Sequence, residues 1–182
     1  MAMLEIAKLG NPILRRVAEP ITLEELQRPE TQQVIDDMVE TMYKSDGVGL
    51  AAPQVFLSKR IVVLGTQDNP RYPDAPPIPL TVLVNPVFTY QSEQQVEGWE
   101  GCLSLDNLRG RVPRSQHVRL EVQDRTGREL QIEAYDFMAR VIQHEVDHLN
   151  GKVFIDQMKD LTTLTHLKEF ETYWYRESVQ VA

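Results

Sequence analysis

Residues 144–148 read His-Glu-Val-Asp-His. Two histidines four residues apart on a helix project from one face, about one turn apart, so both imidazoles can bind one tetrahedral cation. Glu145 is displaced around the helix by about 100°, which suits it poorly as a third ligand but lets it reach a water on that cation. Two ligands plus a carboxylate base are what a hydrolytic metal site needs. The bland alternative is a surface helix with two histidines and scattered acids. The chain has only four histidines, so two of them bracketing Glu145 at this spacing weigh against it.

Such a site needs a third ligand. In thermolysin-like enzymes a downstream acid or histidine supplies it, and here Glu169 and Glu171 are the downstream acids. The other candidate is the single cysteine, Cys102, in Glu100-Gly101-Cys102-Leu103-Ser104. A lone cysteine is most often a small buried hydrophobe, but a thiolate is also a good ligand for a borderline-soft ion. Spacing alone does not choose between them.

A third segment is Gly47-Val48-Gly49-Leu50-Ala51-Ala52-Pro53-Gln54. Gly47 suits the left-handed position that ends a helix. Gly49 lets backbone approach a ligand closely, and Gln54 could present a fixed amide donor. The segment lacks the Lys-Ser/Thr ending of a phosphate loop.

Taken together, these three blocks resemble the signature motifs of the peptide deformylase family, in the same order: Gly47 to Gln54, Glu100 to Ser104, and Gln143-His144-Glu145-Val146-Asp147-His148-Leu149-Asn150-Gly151. The resemblance extends from Gly10-Asn11-Pro12-Ile13-Leu14-Arg15 to the helix after His148 and departs at no motif position. It implies that Cys102, His144 and His148 are the metal ligands. It further implies that Glu145 is the general base and acid, and that Gln54 and the Leu103 N–H form an oxyanion hole. The implied reaction removes formyl from N-formyl-methionyl nascent peptides. The implied cofactor is one divalent ion, Fe2+ by preference, with Ni2+, Co2+ or Zn2+ able to substitute. For the peptide, an extended strand beside Val48 and Gly49 is expected, with Val48 and Val141 in the methionine pocket and Arg109 meeting backbone or carboxylate. A transient ribosome contact, through a C-terminal helix, fits this role. Two rivals remain: a zinc endopeptidase with an acidic third ligand, and a metal-stabilised binding module in which Glu145 is only a surface acid.

The elements that must position these residues are partly visible. Thr22 to Tyr43 reads as helix. Thr22 and Glu25 have capping-box spacing, Pro29 fits a first turn, and Val34, Ile35, Met38, Val39, Met42 and Tyr43 form one apolar face. Arg60 to Leu64 and Leu80 to Val84 read as buried strands, the second ended by Asn85-Pro86, with a third strand over Val87 to Tyr90. Between the first two lies a loop, residues 67–80, holding five of the eleven prolines. Val118 to Val122 and Leu130 to Ala134 alternate about an Asp124–Gly127 turn, which predicts a hairpin. Asp136 to Leu149 reads as the metal-binding helix, stopped by Asn150-Gly151. Val153 to Ile155 reads as a brief strand. Leu161, Leu164, Leu167, Phe170 and Trp174 form an amphipathic stripe that predicts a C-terminal helix. Strands in the middle with helices apart from them indicate α+β, and the resemblance implies antiparallel sheets around a central metal-binding helix.

At 182 residues the chain suits one domain, a single catalytic domain over 1–182. Its net charge of -8 disfavours a nucleic-acid binder, and no nucleic-acid motif is present. One cysteine permits no internal disulfide. There is no signal-peptide core, no transit-peptide composition and no apolar run of membrane-spanning length. A cytoplasmic location is the expectation.

Overall fold

The computed structural model describes residues 2–66 and 76–175; most of the proline-rich stretch, and the last seven residues, lie outside the described residues. The first helical region is two helices, not one. In α1 (Leu23–Leu26), Thr22 accepts from the Glu25 N–H while the Glu25 carboxylate accepts from the Thr22 N–H, a complete capping box. Helix α2 (Pro29–Lys44) starts afresh, because Arg28 before the proline is extended, at φ -65° and ψ 137°.

The end of α2 departs from expectation. The left-handed residue is Asp46, with φ 53°, not Gly47. Gly47 donates to the Met42 carbonyl at 2.9 Å, and a β-carbon there would lie 2.9 Å from Leu103 Cδ1. Gly47 is therefore needed for close approach, not for a positive φ.

Five antiparallel strands form the larger sheet in the order β1-β2-β3-β6-β7: β1 (Gly49–Ala51), β2 (Ile61–Leu64), β3 (Thr81–Gln91), β6 (His117–Gln123) and β7 (Glu129–Tyr135). The expected break at Asn85-Pro86 is a bulge inside one long strand. Asn85 takes φ 50°, and its side chain closes both backbone groups of Ile21, accepting from N–H at 2.9 Å and donating to the carbonyl at 2.8 Å. The hairpin of β6 and β7 matches its alternation.

Strand β2 explains the sheet's position. Its four residues are all buried. Val62 and Leu64 pack with Val141, Ile142, Val146 and Leu149 of α3 (Asp136–Leu149). Ile61 and Val63 pack with Ile35, Met38 and Met42 of α2. A strand buried on both faces reads as an unbroken apolar run, and it places the sheet between two helices.

The second sheet was not visible in the sequence. It is a long antiparallel hairpin, β4 (Gln95–Cys102) and β5 (Leu105–Ser115), with the short β8 (Thr165–His166) on its outer edge. Residues Val153 to Ile155 are not a strand: Phe154–Gln157 forms a 3-10 turn held by the Val153 N–H on Asp156, and Phe154 packs under the hairpin beside Cys102, Leu105 and Val112. The C-terminal helix is shorter than its stripe. It starts at α4 (Leu167–Glu169) and continues through a wider turn, Phe170–Trp174. Leu161 lies in a separate 3-10 turn capped by Asp160. Helix α3 thus lies between two antiparallel sheets, an α+β fold with helices before and after.

Candidate active site

Cys102 closes strand β4. A register shift follows Glu100, and Cys102 pairs with Leu105 across the two-residue turn Leu103-Ser104. The N-terminal segment clamps that turn: Leu9 N–H donates to Ser104 O at 2.8 Å, and Lys8 Nζ to Leu103 O at 2.9 Å. Opposite the turn, α3 presents His144 and His148 one turn apart, their rings 5.1 Å between centroids. Gly151, at φ 70°, ends this helix against the chain at Arg15, where a β-carbon would meet the Arg15 carbonyl at 2.7 Å.

The donor atoms of Cys102, His144 and His148 lie within 4.8 Å of one another, and all three residues are buried. Cys102 Sγ is 3.3 Å from His148 Nε2. Glu169 and Glu171 are exposed on the C-terminal helix and take no part. Of the two candidates that spacing left open, it is Cys102 that the fold brings beside the histidine pair. One thiolate and two imidazoles, converging without a fourth protein donor among the described residues, fit a divalent ion with an open position.

Two of the three donors have an orienting partner, whereas His148 Nδ1 is buried with no hydrogen-bond partner among the described residues. His144 Nδ1 donates to Glu100 Oε2 at 2.9 Å, which turns Nε2 toward the cluster. Ser104 N–H donates to Cys102 Sγ at 3.4 Å. Glu100 is itself gripped by Arg114, Nε to Oε1 at 2.8 Å and Nη2 to Oε2 at 2.9 Å, and Arg114 reaches on to Asp147 of α3 at 2.6 Å. Burial opposes ionisation of Glu100, but the Arg114 charge overcomes it and holds the carboxyl far below the usual range. Arg114 is held above its ordinary value, burial being outweighed by Glu100.

Burial alone would raise the Cys102 thiol. The charge of His148 and hydrogen bonds from both histidines outweigh it, so the thiol is held well below its ordinary value. Burial alone would likewise depress His144; its contacts with Cys102 and Glu100 lift it well above. Cys102 and His144 thus each favour the charged form of the other.

Glu145 sits beside this cluster with a different electrostatic balance. Burial raises its carboxyl to about 7, only partly offset by the two histidines. Its Oε2 is buried with no hydrogen-bond partner among the described residues. Gln54 is fixed on the far wall by the 3-10 turn Ala52–Val55: its Oε1 accepts from Ala51 N–H at 2.8 Å, and its Nε2 donates to Ser104 Oγ at 3.1 Å and toward Cys102 Sγ at 3.5 Å.

A pocket opens over these residues, lined in part by Val48, Gly49, Gln54, Leu103, Val141 and Glu145. Phe137 and Trp99 complete its apolar side. Arg109 is not in this pocket. It lies beyond Gly101 in an adjoining cavity that shares Cys102 and Leu103. Glu100, Arg114 and Phe137 were given no role in the sequence. Glu100 had one available signal, since two residues before Cys102 on a strand is the same face.

Comparison with known proteins agrees with this geometry. Residues 3–163 match the family described as polypeptide deformylase. The chain belongs to the polypeptide deformylase family. It is a metal-dependent hydrolase that removes the formyl group from the N-terminal formyl-methionine of new polypeptides. Peptide deformylase 1 of Bordetella pertussis is 48% identical over 157 residues, covering 86% of this chain and 88% of that protein. Peptide deformylase 2 of a Nostoc species is 44% identical, covering 90% of each. A Met-Ala-Ser-bound crystal structure of a class I type b peptide deformylase from Acinetobacter baumannii is 41% identical. It superposes with a TM-score of 0.83 over 86% of this chain and 99% of that one.

Proposed function

We propose that Cys102, His144 and His148 hold the ion of this deformylase, that Glu145 carries the proton, and that Gln54 Nε2 with the Leu103 N–H binds the oxygen on which charge develops. The observation that carries this is a buried three-donor cluster beside a buried carboxylate whose Oε2 has no hydrogen-bond partner among the described residues. A thiolate and two imidazoles suit ferrous iron, and also nickel, cobalt or zinc. When bound, the ion lowers the pKa of a water toward neutrality and polarises the formyl carbonyl.

Glu145, buried beside the cluster, would accept one proton from the attacking water as that water's oxygen bonds to the formyl carbon. Gln54 Nε2 and Leu103 N–H steady the carbonyl oxygen as it gains charge. As the C–N bond breaks, Glu145 returns the proton to the amine nitrogen, leaving formate and a free N-terminus. The Gln54 amide is held through its oxygen by the Ala51 N–H, and the N–H it directs toward Cys102 Sγ at 3.5 Å, the longer of its two contacts, is the one that turns to the developing charge.

The peptide lies extended along Val48 and Gly49, its methionine side chain against Val48, Phe137 and Val141. Met-Ala-Ser, bound in the A. baumannii relative, is what remains of formyl-Met-Ala-Ser once formyl is gone. Arg109 meets the far end of a longer peptide. The nascent chain implies the cytoplasm and a transient contact with the ribosome, and residues 1–182 act as one catalytic domain. No described helix is long and apolar enough to cross a membrane.

Gln54→Ala and Glu145→Ala, each loaded with cobalt, test the assignment. Both should keep one ion per chain. Loss of one oxyanion donor should lower kcat by about 10²-fold, and loss of the proton carrier by about 10²–10⁴-fold. Unchanged kcat in either variant contradicts its role.

A further inference from the structure

Arg140 lies on α3 four residues before His144, one turn earlier on the same face, and lines the same pocket. Its guanidinium crosses to the β4–β5 hairpin. Nη1 donates to Val112 O at 2.7 Å, to Glu100 Oε1 at 3.0 Å and to Gly98 O at 3.4 Å; Nη2 donates to Val96 O at 2.6 Å. The side chain is only 13% exposed. The group packs against Gly98, where a β-carbon would lie 2.9 Å from Arg140 Cζ and Nη2. Oxygens from both strands of one hairpin therefore converge on a single cation carried by the metal-binding helix.

Two arginines span the gap between helix and hairpin, at opposite ends of the histidine pair. Arg114 links Glu100 to Asp147, next to His148. Arg140 links Glu100 and three hairpin carbonyls to the turn before His144. Glu100 Oε1 is shared by both, which leaves Oε2 for Arg114 and His144.

We propose that Arg140 is a positioning residue: it fixes β4 and Glu100 against α3, and so holds Cys102 Sγ, at the end of β4, in register with the His144 imidazole. Gly98 is its partner, since only a residue without a β-carbon leaves the guanidinium its place. The proposal rests on Cys102, His144 and His148 being the metal ligands. A residue that merely lined the pocket would affect peptide binding alone; a positioning residue must also affect the ion.

Arg140→Met keeps the apolar stem and removes the donors. Co2+ serves as the probe, with affinity measured by competition against a chelator and the site read from the thiolate-to-cobalt charge-transfer band. The expected result is a dissociation constant for Co2+ raised about tenfold, the low end for loss of an orienting partner, with a shifted band and a lower kcat. Arg140→Lys, a compact ammonium that cannot span all these acceptors, should fall between. Gly98→Ala, which displaces the guanidinium from the other side, should reproduce the phenotype and add little in the Arg140→Met background. Wild-type affinity and band in Arg140→Met, with only KM altered, overturns the proposal, as does strict additivity with Gly98→Ala. A wild-type protein that shows no thiolate band with Co2+ overturns the ligand assignment and this inference together.

Discussion

A β-carbon placed on Gly49 would lie 2.7 Å from both Cγ and Cδ of Glu145, closer than real carbon atoms approach. Strand β1 and helix α3 meet at this point with no room for a methyl group, and the glycine is what allows the carboxylate to lie beside the cluster.

Gly49→Ala should therefore move Glu145 rather than empty the site. Misplacement of a reacting group by about 1 Å can cost on the order of 10² in rate, so kcat should fall by about that factor while metal content stays at one ion per chain. Atomic absorption and steady-state kinetics on the same preparation check this. Full activity would show that Glu145 need not hold its present position.

Glu100 predicts a division between charge and geometry. It is buried against two arginines and a histidine. Glu100→Ala leaves buried cations uncompensated and should cost about 3–5 kcal/mol in urea unfolding. Its carboxyl is held far down, so the stabilisation it gives is complete above the ordinary carboxylate pKa and is lost as pH falls toward and through the depressed folded value. Glu100→Gln retains an acceptor for the His144 N–H and should fold better than Glu100→Ala. It should still weaken the ion by about tenfold or more.

Burial of Glu145 has an opposite sign. Its carboxyl is raised in the fold, so the folded state prefers the protonated form, and ionisation costs stability progressively between about 4.5 and about 7. After chelation, Glu145→Gln should be more stable than wild type at pH 8 by about 3 kcal/mol. The difference should almost vanish at pH 4.5. Urea melts at both values test this. In the loaded enzyme, a nearby cation favours the carboxylate, so the acid limb of kcat/KM should lie at or below about 7 and disappear in Glu145→Ala. A limb that persists in that variant would assign the titration to another group.

Cys102→Ala should abolish tight metal binding, because no other thiol exists in the chain. Replacing Glu169 and Glu171 together with glutamine should change neither metal content nor rate, as both are exposed on the C-terminal helix. The reverse pattern would indicate an acidic third ligand.

How much of this was legible depended on sequence distance. His144, Glu145 and His148 are within one helix turn and a half, so their shared face follows from the helix itself. Cys102 is 46 residues before His148, and only resemblance could join them before the fold was known. The hairpin of β4 and β5 was hidden because Gly98, Glu100 and Gly101 break the apolar alternation that marks a strand. Glu100 faces inward there only because Arg114, 14 residues later, neutralises it. The same cause hid Arg140, whose partners are backbone oxygens of that hairpin and the Glu100 carboxylate. Among positive-φ positions, Asp46 took the place that composition assigned to Gly47, since Gly47 is needed for its small size beside Leu103.

Release of formate from formyl-Met-Ala-Ser by anaerobically purified, iron-loaded protein tests the central claim most directly, with acetyl-Met-Ala-Ser and Glu145→Ala alongside. The account predicts turnover of the formyl peptide only, reduced by about 10²–10⁴-fold in Glu145→Ala. No formate from a protein shown to carry one ferrous ion, or equal turnover by the variant, would contradict it.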